Sequence, residues 1–284
     1  MSLGAARDRL WLLTALVFLG ASLKSVATLV SGSRAVLVDA LTCFASLAAL
    51  AAVLYYLRAG EMPPDEDHPY GHYRLRLGGV LVSLSVYMFV AGYGLASTLS
   101  GLESGYRVEG LRAVPWLVAG TAAYAAAVAL SRGMDPVVRL YAGFTVSEII
   151  ESLVSLLGAV LGQYLGYVYD AAGALAIIGY ILYEAVEAHR YLLRFFSDVS
   201  APRRLYQALE REAALRGLRV IRARLRMLDE ERCAGDAVVA PPPGVGLDVA
   251  DLLADEVAEA MRERGCDVVI HVGYAESRLA PRTR

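Results

Sequence analysis

Six long apolar runs constrain this chain more than any other feature of its sequence. Each run is close to 20 residues, which is enough for an α-helix to cross a hydrocarbon core about 30 Å thick. A backbone in lipid has to satisfy its own hydrogen bonds, and runs of this length do so as helices. Hydrophobic residues make up 57% of the chain, more than the roughly 45–50% that is usual in soluble domains. The predicted spans are Leu10–Val30, Ala35–Leu57, Leu77–Leu99, Val114–Leu130, Ala142–Leu165 and Ala171–Leu193.

The arginines in the short connections favour an orientation with both termini in the cytoplasm, because Lys and Arg are enriched in cytoplasmic loops. This orientation puts Arg34, Arg107 and Arg112 on the far side. The cytoplasmic side then holds Arg7, Arg9, Arg58, Arg74, Arg76, Arg132, Arg139, Arg190 and Arg194. We therefore expect a multi-pass protein of the cell membrane, surrounded by lipid. The formal net charge of -2 gives no indication of a nucleic-acid partner.

The residues after Asp198 lose the apolar runs and predict a small soluble domain. Helical spacing and strand alternation predict the order helix, strand, strand, helix, strand. This order is typical of an α+β domain of the ferredoxin-like kind, with helices on one face of a small sheet. The sequence therefore predicts a transmembrane domain over 1–198 and a cytoplasmic domain over 199–284. The predicted elements of the tail are Pro202–Arg216, Leu218–Leu228, Asp236–Ala240, Leu247–Arg264 and Asp267–Val272.

The three cysteines do not have the spacing of a metal site. Cys43 lies inside the second predicted span, and Cys233 and Cys266 lie in the predicted cytoplasmic domain. Since the cytoplasm keeps thiols reduced, we expect free thiols in that domain.

The connection after the second span carries a distinctive motif. Residues 63–72 read PPDEDHPYGH, which resembles the signature loop of the cation diffusion facilitator family of divalent-metal transporters. Six spans before a ferredoxin-like domain agree with that family. The resemblance implies efflux of a divalent metal ion, with Zn²⁺, Mn²⁺, Fe²⁺ or Co²⁺ left open, in exchange for protons. It also implies a homodimer, held in part by the cytoplasmic domain, without an organic cofactor. No catalytic motif indicates an enzyme.

The same loop supplies three candidate metal ligands: Asp65, His68 and His72. Two imidazoles and one carboxylate suit Zn²⁺ and the transition metals next to it. The resemblance implies that these residues form a metal site on the cytoplasmic side. The alternative is a solvated acidic loop whose histidines cap or pack.

The resemblance also implies a tetrahedral transport site within the membrane, with two ligands from span two and two from span five. These positions correspond here to Thr42, Ser46, Phe144 and Glu148. Only Glu148 retains a carboxylate, and Phe144 has no lone pair to offer a cation. The usual zinc site is therefore incomplete.

A substitute site can be built from neighbouring residues. Asp39 and Cys43 are four residues apart and share one face of a helix, as do Glu148 and Glu151 at a spacing of three. If the two faces meet, these four side chains form an oxygen-rich site that favours Mn²⁺, Fe²⁺ or Mg²⁺ over Zn²⁺, unless Cys43 ligates. The alternative is that Asp39 and Glu148 pair with Lys24 or bond to hydroxyl groups of the spans.

The tail contains one weak candidate ligand. His271 lies in the last predicted strand, but the acidic residue that the resemblance implies two positions later is Gly273. Two further interpretations stay open for the whole chain. One is a homologue that has lost transport and acts as a metal-binding or regulatory subunit, and the other is a transporter of a non-metal solute.

Overall fold

The computed structural model describes the backbone of residues 3–131 and 136–273, and the side chains of residues 11–130 and 147–273. In this part of the chain, six helices are long and apolar enough to cross a membrane. The prediction of six spanning helices is confirmed. They are α1 (Leu3–Ser31), α2 (Arg34–Ala59), α3 (Arg76–Ser104), α4 (Gly110–Ser131), α5 (Pro136–Leu165) and α6 (Tyr167–Phe196).

The N-terminal ends of α2 and α6 are tied together by one carboxylate. Ser33 caps α2, since its Oγ accepts a hydrogen bond from the N–H of Val36 at 3.0 Å. Ser33 Oγ also donates to Asp170 Oδ1 at 2.5 Å, and the backbone N–H of Arg34 donates to Asp170 Oδ2 at 2.6 Å. Asp170 is in the first turn of α6. The first turn of α2 is therefore stabilised by an anion from another helix.

Small residues allow α5 and α6 to approach closely. A Cβ atom at Gly158 would lie 3.4 Å from the Cα of Gly173 and 3.2 Å from the Cβ of Ala35 in α2. Small residues at such contacts allow the backbones of membrane helices to pack by van der Waals contact. The outward-facing side chains include large exposed apolar groups such as Trp11 and Phe89. These groups suit a lipid environment.

The C-terminal region is a three-stranded sheet with two helices. Strand β1 pairs antiparallel with β2, and β2 pairs parallel with β3, in the order β1-β2-β3. Helix α8 makes the crossover that a parallel pair requires. The predicted order is confirmed, with β2 beginning three residues earlier than predicted. The elements are α7 (Arg203–Leu215), β1 (Arg219–Met227), β2 (Cys233–Ala240), α8 (Leu247–Arg262) and β3 (Cys266–Val272).

The later half of β1 alternates between core and solvent. Leu225 and Met227 are buried, whereas Arg224 and Arg226 are exposed. The Arg224 guanidinium donates to both carboxylate oxygens of Asp236 on β2, at 3.0–3.2 Å. The alternation fails in the first half of the strand, where the register with β2 shifts between Val220 and Arg222.

The described chain forms two compact units. One comprises the described residues within Met1–Pro63 and Leu75–Arg190, and the other those within Pro64–Arg74 and Tyr191–Arg284. The loop after α2 thus belongs with the C-terminal sheet. The division into domains at residue 198 remains a prediction.

The expectation of free thiols in the C-terminal region was wrong. Cys233 and Cys266 are direct partners in the register of β2 and β3. Their Cα atoms lie 4.4 Å apart and the two residues form a disulfide. Adjacent strands brought the two cysteines within bridging range, which spacing along the chain cannot reveal. Cys43 is a free and buried thiol.

Candidate metal sites

The loop after α2 brings its three candidate ligands together. The donor atoms of Asp65, His68 and His72 all lie within 4.8 Å of one another. Asp65 Oδ1 is 3.2 Å from His68 Nδ1, and Asp65 Oδ2 is 3.3 Å from His72 Nε2. Ligands about 2 Å from a tetrahedral metal ion lie about 3.3 Å apart. The spacing therefore fits Zn²⁺ or an ion of similar size.

A tight turn, not a helix, produces this convergence. The N–H of His68 donates to Asp65 Oδ1 at 2.7 Å, and the N–H of Asp65 donates to the carbonyl of His68 at 3.2 Å. Gly71 follows with a φ of 82°, which glycine adopts without strain and which returns the chain toward His72. An aspartate that bonds its own backbone in this way is a common turn former.

The loop site is open to solvent on one side. Asp65 and His68 are exposed, while His72 is buried. The hydrogen bond from the N–H of His68 lowers the pKa of the Asp65 carboxyl group, and the nearby His68 and His72 side chains lower it further. The carboxylate is therefore ionised at neutral pH. Three protein donors leave the fourth position of a tetrahedral ion for water or another ligand.

A second cluster of polar side chains lies inside the helix bundle and is almost entirely buried. Buried charged groups in membrane spans are costly and usually functional. The cluster draws on α1, α2, α3, α4 and α5. Its members are Lys24, Asp39, Thr42, Cys43, Ser46, Tyr87, Tyr124, Glu148, Glu151, Ser152 and Ser155.

Asp39 is fully paired within this cluster. Lys24 Nζ lies 2.8 Å from Asp39 Oδ1, and neither side chain is exposed. Ser155 Oγ donates to Asp39 Oδ2 at 2.8 Å, and Ser152 Oγ lies 3.4 Å from Oδ1. Lys24 Nζ also donates to the sulfur of Cys43 at 3.2 Å. This is the pairing that the sequence left open as the alternative for Asp39.

In both Glu148 and Glu151, one of the two carboxylate oxygens lacks a hydrogen-bond partner in the described structure. Ser46 Oγ donates to Glu148 Oε1 and also bonds to Tyr87 Oη at 2.7 Å. Thr42 lies beside the Glu151 carboxyl group. The Oε2 atoms of both glutamates are buried without a hydrogen-bond partner in the described structure. Unpartnered buried carboxylate oxygens are rare and call for an ion, a proton or a water.

The four residues of the substitute site predicted from the sequence lie in this cluster, but their donor atoms do not converge within 4.8 Å of one another. Among the described residues, the loop triad is the one group of three His, Cys, Asp or Glu with donor atoms within 4.8 Å of one another. Asp39 and Cys43 face Lys24 instead. Phe144 lies outside the residues whose side chains are described. His271 is exposed on β3 and belongs to no such group.

Three members of the cluster were missed by sequence reasoning. Ser155 follows Ser152 and Glu148 at helical spacing, so the shared face of α5 could have predicted it. Tyr87 and Tyr124 had no signal that separated them from the chain's 17 tyrosines. Their roles depend on contacts between helices, and a single helix pattern contains no such information.

Residues 10–194 match the family model of the cation efflux transmembrane domain. The chain belongs to the cation efflux family. The resemblance to cation diffusion facilitators is thereby confirmed. The family's name and the two relatives below agree with transport of a divalent metal cation.

Two relatives extend the comparison of this cation efflux protein. It is 34% identical to the manganese efflux system protein MneS of Bacillus subtilis (strain 168) over 90 residues, which cover 32% of this chain and 31% of MneS. It is 24% identical to the magnetosome protein MamM of Magnetospirillum gryphiswaldense over 263 residues, which cover 86% of this chain and 78% of MamM. The match to MneS therefore spans about a third of that relative.

Proposed function

We propose that this chain exports a divalent metal cation from the cytoplasm in exchange for protons, and that Glu148 and Glu151 bind both. The observation that carries the proposal is the pair of buried Oε2 atoms without a partner. Both side chains are at most 3% exposed. A buried anion without compensation is strongly disfavoured in a low-dielectric interior. A metal ion or protons supply that compensation.

Competition for the same oxygens provides the coupling. A carboxylate that binds a metal has to be deprotonated, so metal entry releases protons and metal exit admits them. Spans that rock about this site would expose it to each side of the membrane in turn.

The donor set favours Mn²⁺ as the transported ion. Glu148 and Glu151 offer carboxylate oxygens, with the hydroxyls of Ser46 and Thr42 beside them. Oxygen donors suit Mn²⁺ better than Zn²⁺, which favours nitrogen and sulfur. The sulfur of Cys43 accepts a hydrogen bond from Lys24, so we do not count it among the metal donors. The name of MneS, a manganese efflux system protein, supports the same ion. Fe²⁺ and Co²⁺ rank next, and Zn²⁺ ranks last.

The loop triad of Asp65, His68 and His72 is proposed as the cytoplasmic site that first receives the ion. The arginine distribution supports this orientation, in which the spans lie in the cell membrane and both termini lie in the cytoplasm. Membership in the family supports a homodimer. The open fourth position of the loop site allows the ion to pass on.

The test measures Mn²⁺ flux and proton countertransport in proteoliposomes. A luminal pH dye should report alkalinisation as Mn²⁺ enters. Glu148→Gln and Glu151→Gln keep the shape of the side chain but remove the charge. Each should reduce flux by more than the roughly 10- to 100-fold that follows from losing a supporting residue. Glu187→Gln is the matched control, because Glu187 is an exposed glutamate on α6. Normal flux in the Glu148 and Glu151 variants would refute the proposed site.

A second candidate function has one observation in its favour. The Lys24–Asp39 pair already occupies one of the acidic groups of the cluster. A metal-binding or regulatory subunit without transport would show metal binding at the loop but no flux of Mn²⁺, Fe²⁺, Co²⁺ or Zn²⁺ in the same vesicles. Any saturable flux that depends on Glu148 would exclude it.

A further inference from the structure

The Lys24–Asp39 ion pair is the most deeply buried charged pair in the described structure. Both side chains are completely inaccessible. Lys24 is the only lysine of the chain, and a fully buried lysine is rare unless it is paired. Its ammonium group also lies 4.8 Å from the centre of the Tyr124 ring. Contacts with α2 and α4 therefore hold the end of a side chain that starts on α1.

This pair differs from what stability alone would favour. Breaking a buried pair is costly, but replacing both partners by apolar residues is often neutral or stabilising. A bundle that needed only to hold α1 against α2 could use apolar contacts like those between other helices. The pair adjoins Glu148 through Ser152, whose Oγ donates to the Glu148 carbonyl at 2.7 Å and lies 3.4 Å from Asp39 Oδ1. Its charge is therefore available to the residues that bind the metal.

Among the fully buried side chains of the cluster, two carboxyl groups remain uncompensated, while Glu184 on α6 is only partly buried. Lys24 and Asp39 cancel each other. Both oxygens of Asp39 are engaged, by Lys24 and by Ser155. Glu148 and Glu151 each retain an unpartnered Oε2. One divalent cation balances two carboxylates, whereas three free carboxylates would retain a negative charge and would hold the cation more tightly.

We propose that Lys24 is a tethered counter-cation that withdraws Asp39 from the metal ligands and sets the charge of the transport site to that of two carboxyl groups. Lys24 is thus a positioning residue that matches the site to a divalent cation and keeps the affinity low enough for release. This inference rests on the proposed function of Glu148 and Glu151. It assigns to Lys24 an effect on the affinity for metal in addition to its effect on folding.

The test compares Lys24→Met, Asp39→Asn and the double variant by the KM and maximal rate of Mn²⁺ flux. Lys24→Met releases Asp39 as a third carboxylate, so KM and maximal rate should both fall, each by about tenfold, the scale of coupling between close buried charges. Asp39→Asn leaves an excess positive charge, so KM should rise by about tenfold. The double variant restores the charge balance, and both parameters should return to within about threefold of the wild type.

Lys24→Arg retains the positive charge, so its KM should lie closer to the wild-type value than that of Lys24→Met, although the larger guanidinium changes the packing. Single variants with an unchanged KM, but with less folded protein, would overturn the inference and reduce the pair to a structural contact. If one single variant does not fold, the other decides. A KM lowered in Lys24→Met or raised in Asp39→Asn supports the inference, and an unchanged KM in the variant that folds refutes it.

The same vesicles separate this inference from the proposed function. Normal flux in Glu148→Gln would refute the transport site itself, whatever Lys24 does. Flux that is lost in Glu148→Gln, together with an unchanged KM in Lys24→Met, would refute only the role of Lys24.

Discussion

The loop triad and the membrane cluster, the two candidate cation sites, are built in opposite ways. The loop triad is built by a turn of a few residues and combines two imidazoles with one exposed carboxylate. The membrane cluster draws on five helices and offers mainly oxygen. In the loop, water compensates the charge when no metal is bound. Within the bundle, compensation has to come from protein groups, protons or the cargo.

This difference explains why the two sites depart so differently from what the family resemblance implies. A loop triad needs only its own turn, so its residue types can be retained independently of the bundle. In the bundle, a change of one charge alters the compensation of all its neighbours. In the proposed transport site, Thr42 and Ser46 stand where the resemblance implies metal ligands, and Glu151, Asp39 and Lys24 supply the charges around them.

The largest expected effect concerns the stability of the C-terminal unit, which includes the loop, and not that of the membrane cluster. The disulfide joins Cys233 and Cys266, which are 33 positions apart in the sequence. Replacing both cysteines by alanine should lower the free energy of unfolding of the C-terminal unit by about 4 kcal/mol, on the chain-entropy scale. Chemical denaturation of the full chain in detergent, followed by limited proteolysis of the tail, measures this.

The same experiment should leave the membrane cluster intact. Unchanged proteolysis of the tail would contradict the disulfide, and a mass spectrum of the alkylated, non-reduced protein would check the bond directly. Reducing agent applied to the wild type should reproduce the effect of the double variant.

The next effect distinguishes the sites by their metal. His72→Ala removes a nitrogen donor from the loop and should weaken Zn²⁺ binding by roughly 10- to 100-fold or more. Isothermal titration of the full chain in detergent measures it. His189→Ala is the matched control, because His189 lies outside the triad. Equal Zn²⁺ affinity in both variants would show that the loop does not bind this ion.

A smaller effect should appear in transport. Asp65→Ala removes one ligand of the receiving site, so KM for Mn²⁺ should rise by about tenfold while the maximal rate stays within about threefold. Flux in proteoliposomes at several Mn²⁺ concentrations gives both values. A lost maximal rate with an unchanged KM would indicate that the loop takes part in a step after binding.

The smallest effect concerns pH and sharpens the contrast in solvent exposure. The pKa of Asp65 is lowered by the N–H of His68 and by the two imidazoles. The ionised carboxylate therefore stabilises the turn at pH values above the ordinary aspartate pKa of about 3.9. This stabilisation is lost as the pH falls through the lowered pKa. The carboxyl ¹³C shift of Asp65, assigned against Asp65→Asn, should titrate with a pKa below that ordinary value.

The sequence predicted the spans well because hydropathy is a property of single segments. The start of α5 at Pro136, ahead of the predicted Ala142, shows that a helix extends beyond its apolar part. The tail followed from periodicity as well. β2 was predicted too short because Cys233, Ala234 and Gly235 have no alternation of apolar and polar residues.

The sites were predictable only as far as they are local. Asp65, His68 and His72 lie within eight residues, so the chain itself keeps them close. Spacing put Asp39 and Cys43 on one face of α2, but it could not indicate that Lys24 from α1 would reach both. Pairing between helices depends on their rotation and depth, which are properties of the packed bundle.

The disulfide has a practical consequence for spectroscopic labelling. The sequence has three cysteines. Two are bonded to each other, and the third, Cys43, is buried at the centre of the bundle. Without reductant, the native protein thus presents no accessible thiol to a maleimide or a spin label. A single cysteine introduced at an exposed position such as Glu187 would carry the only probe, so distances could be measured on an otherwise unaltered transporter.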